Sequence, residues 1–334
     1  MRLPERSLRV AFFGTPEIGA VILARLITVP FVEIPLVVCQ PDRPRGRGRS
    51  LESPPVKIIA QSAGIEVQQP TKLKDGVLAG HLRSLDLDLG VVCAYGRLIP
   101  IEVFRAPAAG CWNVHTSLLP RHRGASPIQH AILTGDATTG ITLMQLGEGL
   151  DEGDILLQRS IPLTGEETGA SLTQALSELG ADTLEAGLAR ARAEGLTRTV
   201  QDPNKVTYAP LLEKKDSLLD FRRPAVELER RVRALEPWPG TQFGLGGTMI
   251  KVRSAKVALS DAETAPGRIS APGSIRRISE RLIVETGRDG LELLEVQPPG
   301  KRPMAIADFL RGAGRRIKDG DSVDPIDNPH APSA

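Results

Sequence analysis

Aromatic side chains are scarce: Phe, Trp and Tyr together make up 3% of the 334 residues. Ala, Leu, Val and Ile must therefore fill the cores. Only three cysteines occur, Cys39, Cys93 and Cys111, each in an apolar strand-like run. Their odd number and placement exclude a disulfide scaffold and metal-ligand spacing, and lead to an expectation of reduced thiols in a cytoplasmic protein. Long apolar runs are missing, and Met1–Ser7 leads into a strand without a signal-peptide pattern, so no membrane span or leader is expected. There is no G-x-G-x-x-G after the first strand, no P-loop, no H-E-x-x-H and no C-x-x-C pair, which disfavours dinucleotide, nucleotide and zinc sites. Gly124-Ala125-Ser126-Pro127-Ile128 falls one glycine short of a nucleophile elbow. The acidic run Glu148–Asp154 lacks the ligand alternation of a calcium loop, so no metal is expected.

What is present points to two domains, because the length exceeds that of a typical single one. The net charge of +2 hides an asymmetry. Residues 1–201 are balanced at a net of −1, whereas 202–318 carry 22 Lys and Arg against 15 acids. A basic second half suits a polyanionic partner.

Apolar strand-like runs at 8–13, 34–39, 65–67 and 87–94 alternate with helical patterns, such as Ile18, Ile22 and Leu26. Thr15 and Pro16 read as N-cap and first helical residue. This rhythm predicts an α/β fold, a Rossmann-like doubly wound and mostly parallel sheet. Further strands at 141–146 and 155–161 precede a long helix over 170–194. Residues 1–195 are expected to form the catalytic domain and 196–210 a linker. One helix (225–235) and short strands with frequent Gly and Pro over 211–311 predict a small OB-like β-barrel. Residues 312–334 read as a polar flexible tail.

The segment Cys111–Ser117 reads as a short strand ending in polar residues. Side chains at i and i+2 share a face of a strand, so Asn113 and His115 point the same way. In an open α/β sheet, the carboxyl end of a strand faces the crevice where ligands bind. Asp151, 36 residues past His115, adds a carboxylate in a glycine-rich loop. Amide donor, imidazole and carboxylate are the groups that acyl transfer to an amine needs.

Asn113-Val114-His115, Ser117–Arg121, Arg123–Gln129 and Met144-Gln145 with Gly149–Asp154 together resemble the core of the N10-formyltetrahydrofolate-dependent formyltransferases. Gly14–Glu17, Gln40–Pro44, Ala94–Gly96, Tyr208–Pro210 and Pro237–Pro239 narrow the match, which runs from about Leu8 to Leu310. The resemblance implies transfer of a formyl group from N10-formyltetrahydrofolate to the α-amino group of methionyl initiator tRNA, by a monomer, with Asn113, His115 and Asp151 catalytic. It implies a folate pocket lined by Ser117, Leu118, Leu119 and Pro120, with Ala94, Tyr95, Gly149 and Leu150 receiving the pterin. Arg43, Arg45, Arg47 and Arg49 then resemble an insertion that enters a tRNA acceptor stem, a role suited to guanidinium groups. Lys214 and Lys215, with the basic runs 230–233 and 301–302, would extend the track. The chain departs from the family pattern at Glu152, His122, Ile18 and Lys215, which bears on cofactor affinity and pH optimum. Rival readings are formylation of an amino-sugar nucleotide or glycinamide ribonucleotide, hydrolysis of the formyl donor, and a catalytically silent RNA-binding protein.

Overall fold

The structure, a computed structural model, describes residues 1–45, 50–259 and 271–325. In chain order the elements are β1 (Leu8–Gly14), α1 (Glu17–Ile27), β2 (Val32–Val38), β3 (Arg43–Arg45), β4 (Ser50–Glu52), α2 (Pro55–Ser62), β5 (Glu66–Gln68), α3 (Val77–Ser84), β6 (Leu89–Cys93), α4 (Ile101–Phe104), β7 (Cys111–His115), α5 (Pro127–Thr134), β8 (Thr138–Gln145), β9 (Ile155–Pro162) and α6 (Gly169–Ala193). They continue with α7 (Ala225–Ala234), β10 (Thr241–Leu245), β11 (Thr248–Ala258), β12 (Ile275–Ile278), β13 (Arg281–Glu285), β14 (Gly290–Gln297), β15 (Met304–Ala305) and α8 (Ile306–Arg311). Among the described residues, no helix is long and apolar enough to cross a membrane. The chain divides into two compact units, the first holding Met1–Ile128, Ala137–Leu163 and Ser171–Leu211.

In the first unit a seven-stranded sheet runs in the order β5-β2-β1-β6-β7-β8-β9. Strands β5 through β7 pair in parallel, and β8 and β9 extend the sheet antiparallel. The near-continuous apolar character of β1 and β6 follows from burial on both faces. The predicted α/β sheet is thus observed, with an antiparallel edge. Helix α6 passes close over β7 and β8, which its glycines permit. A Cβ on Gly187 would stand 2.5 Å from the Leu143 side chain, and one on Gly180 would stand 3.3 Å from Val114.

Thr15 does not cap α1. Pro16 occupies the N-cap without a side-chain bond, and the Thr15 hydroxyl instead donates to the Tyr95 carbonyl at 3.0 Å. Residues 196–210, expected as a linker, run along the first unit with bridges Ile155↔Thr199 and Arg123↔Tyr208.

The second unit carries an antiparallel sheet in the order β10-β11-β14-β13-β12, with β15 on β14. Its core gathers Leu228 and Val232 of α7, Phe309 and Leu310 of α8, and Phe221 edge-on to Phe243. The polar run after α8 is not loose where it is described. Ile317 is buried in this core, and Ile275 N–H donates to Asp321 O (2.6 Å) while Val323 N–H donates to Gly273 O (2.9 Å). One residue on, Asp324 N–H donates to Gly244 O at 2.9 Å, and the Asp324 carboxylate accepts from Gly246 and Gly247 N–H. Residues 320–324 therefore tie β12 to β10, the two ends of the sheet. A polar composition hid this because backbone groups and one carboxylate supply the bonds. The remainder of the expected tail, 326–334, lies outside the described residues.

Candidate active site

Strand β7 lies between β6 and β8, with Val92 opposite Asn113 and Thr142 opposite His115. Asn113 and His115 thus stand side by side at its carboxyl end. The loop after β8 carries Asp151 back to them. Asn113 Nδ2 lies 3.4 Å from Asp151 Oδ1, and His115 Nδ1 lies 3.7 Å from Asp151 Oδ2. The second separation exceeds a hydrogen bond but brings the imidazole and carboxylate within ion-pair reach. The three expected catalytic residues are assembled.

His115 is 5% exposed, and its Nε2 stands 3.0 Å from the carbonyl of His122. A carbonyl can only accept, so Nε2 carries a proton and the exchangeable position is Nδ1, on the Asp151 side. Asp151 Oδ2 also accepts from Gly124 N–H at 2.8 Å. The backbone of Gly124 at φ +120° demands glycine, since a Cβ there would stand 2.7 Å from Ala209 O. Asp151 itself is left-handed at φ +48°. Glu152 turns its carboxylate to the Gly149 N–H at 2.9 Å within its own loop.

Ser117–Pro120 leaves β7 as a tight turn built on buried Thr142. The Thr142 hydroxyl donates to Ser117 O at 2.7 Å and accepts from Leu119 N–H at 3.0 Å. Gln158 Nε2 donates to Thr142 Oγ1 (2.8 Å) and Leu119 O (2.9 Å), and Ser117 Oγ donates to Arg121 O at 2.6 Å. Ser117 and Leu119 are buried, while Leu118 and Pro120 are half-buried. Ala94, left-handed at φ +49° and exposed, and buried Tyr95 leave β6 at the same sheet edge as His115. The Tyr95 carbonyl is taken by Thr15 and by Gln40 Nε2 (2.9 Å). Leu150 is exposed beside Asp151.

Arg43 lies in β3, exposed, and donates to Gln40 Oε1. The hairpin is anchored through Asp42, which meets Lys57 Nζ at 2.7 Å and Gln69 Nε2 at 2.7 Å. Those bonds, Lys57 first, hold the Asp42 carboxyl below the usual carboxylate range. Arg45 pairs in the β3–β4 ladder, and Arg47 and Arg49 lie outside the described residues. In the second unit, Lys214 and Lys215 sit exposed on a one-turn helix, with Lys215 3.0 Å from Glu213. Arg231 and Arg233 are engaged inside that unit, with Asp216 and Glu229 respectively.

Residues that sequence reasoning left without a role are Thr142, Arg123 and Gln201, whose partners are distant in the chain. A cavity of about 550 Å³ lined by Met1–Pro4, Asp88, Ala108, Ala109 and Arg198 lies at the amino-terminal ends of β6 and β7, away from the trio.

The mostly parallel sheet carries a donor, an imidazole and a carboxylate at its carboxyl edge, and the sequence matches a known family. The model for formyl transferases covers residues 8–187, and that for the formyl transferase C-terminal domain covers 211–314. The chain belongs to the formyl transferase family. Its relatives include the methionyl-tRNA formyltransferase of Methylococcus capsulatus, 45% identical over 93% of this chain and 99% of that protein. That of Myxococcus xanthus is 44% identical over 91% and 95%. Among solved structures, HypX from Aquifex aeolicus in complex with tetrahydrofolic acid shares the fold with a TM-score of 0.58 at 16% identity. This chain is covered over 94% in that comparison and HypX over 49%.

Proposed function

We propose that this chain transfers the formyl group of N10-formyltetrahydrofolate to the α-amino group of methionyl initiator tRNA, giving formylmethionyl-tRNA and tetrahydrofolate for translation initiation. The observation that carries the reading is the convergence of Asn113, His115 and Asp151 on one sheet edge. The near full-length likeness to methionyl-tRNA formyltransferases supports the choice of acceptor.

The formyl donor supplies an already activated carbon, so the chain needs no covalent nucleophile. Asn113 Nδ2 donates to the negative charge that develops on the formyl oxygen; loss of one such donor typically costs roughly 10²–10³ in rate. With Nε2–H held on the His122 carbonyl, His115 exchanges protons through Nδ1. The attacking amine must lose a proton and the leaving amine must gain one, and an imidazole serves both near neutrality. Asp151 faces Nδ1 at 3.7 Å, where it holds the ring in place or relays the proton.

Residues 1–195 are assigned to catalysis and 211–311 to an OB-like tRNA-binding domain. Ser117–Pro120, Ala94, Tyr95, Gly149 and Leu150 are assigned to the folate. Arg43, Arg45, Lys214 and Lys215 are assigned to tRNA phosphates. The enzyme acts as a cytoplasmic monomer without a metal.

The test is a labelled formyl donor offered with charged initiator tRNA, charged elongator methionyl-tRNA, or neither. Label is expected in the initiator alone, and it should vanish in His115→Ala while tRNA binding persists. No transfer, or equal transfer to both tRNAs, would sink the reading.

A further inference from the structure

Gln201 sits fifty residues beyond Asp151, after α6, yet its buried side-chain amide grips the active-site loop. Its Nε2 donates to Asp151 O and to Gly153 O, both at 2.8 Å. Its Oε1 accepts from Arg123 Nε at 3.0 Å and Arg123 Nη2 at 2.8 Å. All the donor and acceptor capacity of one amide is thus used. The two segments it joins are those that hold the trio. On one side is Asp151, whose left-handed backbone L side chains seldom adopt. On the other is the run His122–Gly124, whose carbonyl faces His115 Nε2 and whose Gly124 N–H binds Asp151 Oδ2.

We infer that Gln201 is a positioning residue for formyl transfer, setting the Asp151 carboxylate against His115 and Asn113 without touching either substrate. The inference rests on the catalytic reading above. Its chemistry explains why glutamine is needed. A glutamate would keep the acceptor for Arg123 but turn carboxylate oxygens toward two carbonyls. An alanine would leave Asp151 O, Gly153 O and the Arg123 fork without their partner.

The experiment measures kcat and both KM values for Gln201→Ala and Gln201→Glu, alone and in an Asp151→Asn background, alongside thermal melts and tRNA binding. A misplacement on the order of 1 Å at a reacting centre costs about 100-fold in rate. Both single variants are expected to lose about that factor in kcat, with each KM within about 2-fold of wild type, as for an interaction made only in the transition state. In the Asp151→Asn background, Gln201→Ala should cost nothing further, because residues acting as one unit are not additive. Gln201→Glu preserves the volume and the Arg123 contact, so its result stands if the alanine variant melts early. Wild-type kcat in Gln201→Glu, a loss carried wholly by KM, or a full additional loss on top of Asp151→Asn would overturn the assignment. Absence of transfer by the wild-type chain would instead fall on the catalytic reading, and take this assignment with it.

Discussion

Thr142→Val replaces a hydroxyl by a methyl of nearly the same size, at a side chain with no exposed surface. No cavity is made, so the cost is polar. In the wild type the hydroxyl satisfies Ser117 O and Leu119 N–H, at 2.7 and 3.0 Å. Gln158 Nε2 retains its second acceptor, Leu119 O. Two buried backbone groups therefore lose their side-chain partner, at roughly 1–3 kcal/mol each when a buried group goes unsatisfied. A loss of about 2–6 kcal/mol is expected in the unfolding free energy of the first unit. Buried Trp112 on β7 reports that unit in urea by its fluorescence. Since the turn carries the proposed folate contacts Ser117–Pro120, KM for the formyl donor should rise while KM for methionyl-tRNA holds. A Thr142→Val protein within about 0.5 kcal/mol of wild type, the ordinary scatter of surface changes, would refute the claim that this hydroxyl organises the turn.

Gly124→Ala should lower both stability and kcat. The backbone at φ +120° and the 2.7 Å approach to Ala209 O leave no room for Cβ, strain of this kind costs roughly 1–3 kcal/mol, and urea melts with steady-state rates check it. Arg43→Ala should weaken tRNA binding and flatten its logarithmic salt dependence by about 1, the signature of one lost phosphate contact. Titration at several salt concentrations tests this, and the KM for the formyl donor should not move. Burial pushes the Cys39 thiol up to about 11 and those of Cys93 and Cys111 up to about 12, so the native protein should resist alkylation at pH 8 and react fully in denaturant. Because these folded values lie above the ordinary 9.0, the thiols' contribution to stability is complete below pH 9 and is lost as pH rises toward 11–12; melting temperatures across that range check the sign.

Much of the site was legible in the chain because its chemistry is local. Asn113 and His115 share a face by the period of a strand, and Gly149 and Gly153 announce the loop around Asp151. The parallel sheet was legible from buried apolar runs such as β1 and β6. Gln201 was not, because a lone glutamine in a polar run has no periodicity and its partners lie fifty and seventy-eight residues away. Thr142 looked like any β-branched strand residue. In the basic run 230–233, charge alone does not say that Arg231 is tied to the Asp216 carbonyl. Charged side chains are assigned by what they meet in three dimensions, and their letters carry only the sign.

The strap at residues 320–324 has a consequence for solubility. An antiparallel sheet whose end strands are bare offers rows of unpaired N–H and C=O groups, a template on which other chains can add a strand. Here Asp321 engages Ile275 of β12, Val323 engages Gly273 two residues before it, and Asp324 engages Gly244 of β10, where Leu219 already bonds Gln242, so one short segment contributes to both margins. A protein cut after Arg311, where α8 ends, would bare β12, uncover Gly244 on β10 and take Ile317 from the core. Its failure would take the form of self-association into aggregates, while the chemistry at β7 remained encoded in an intact first unit.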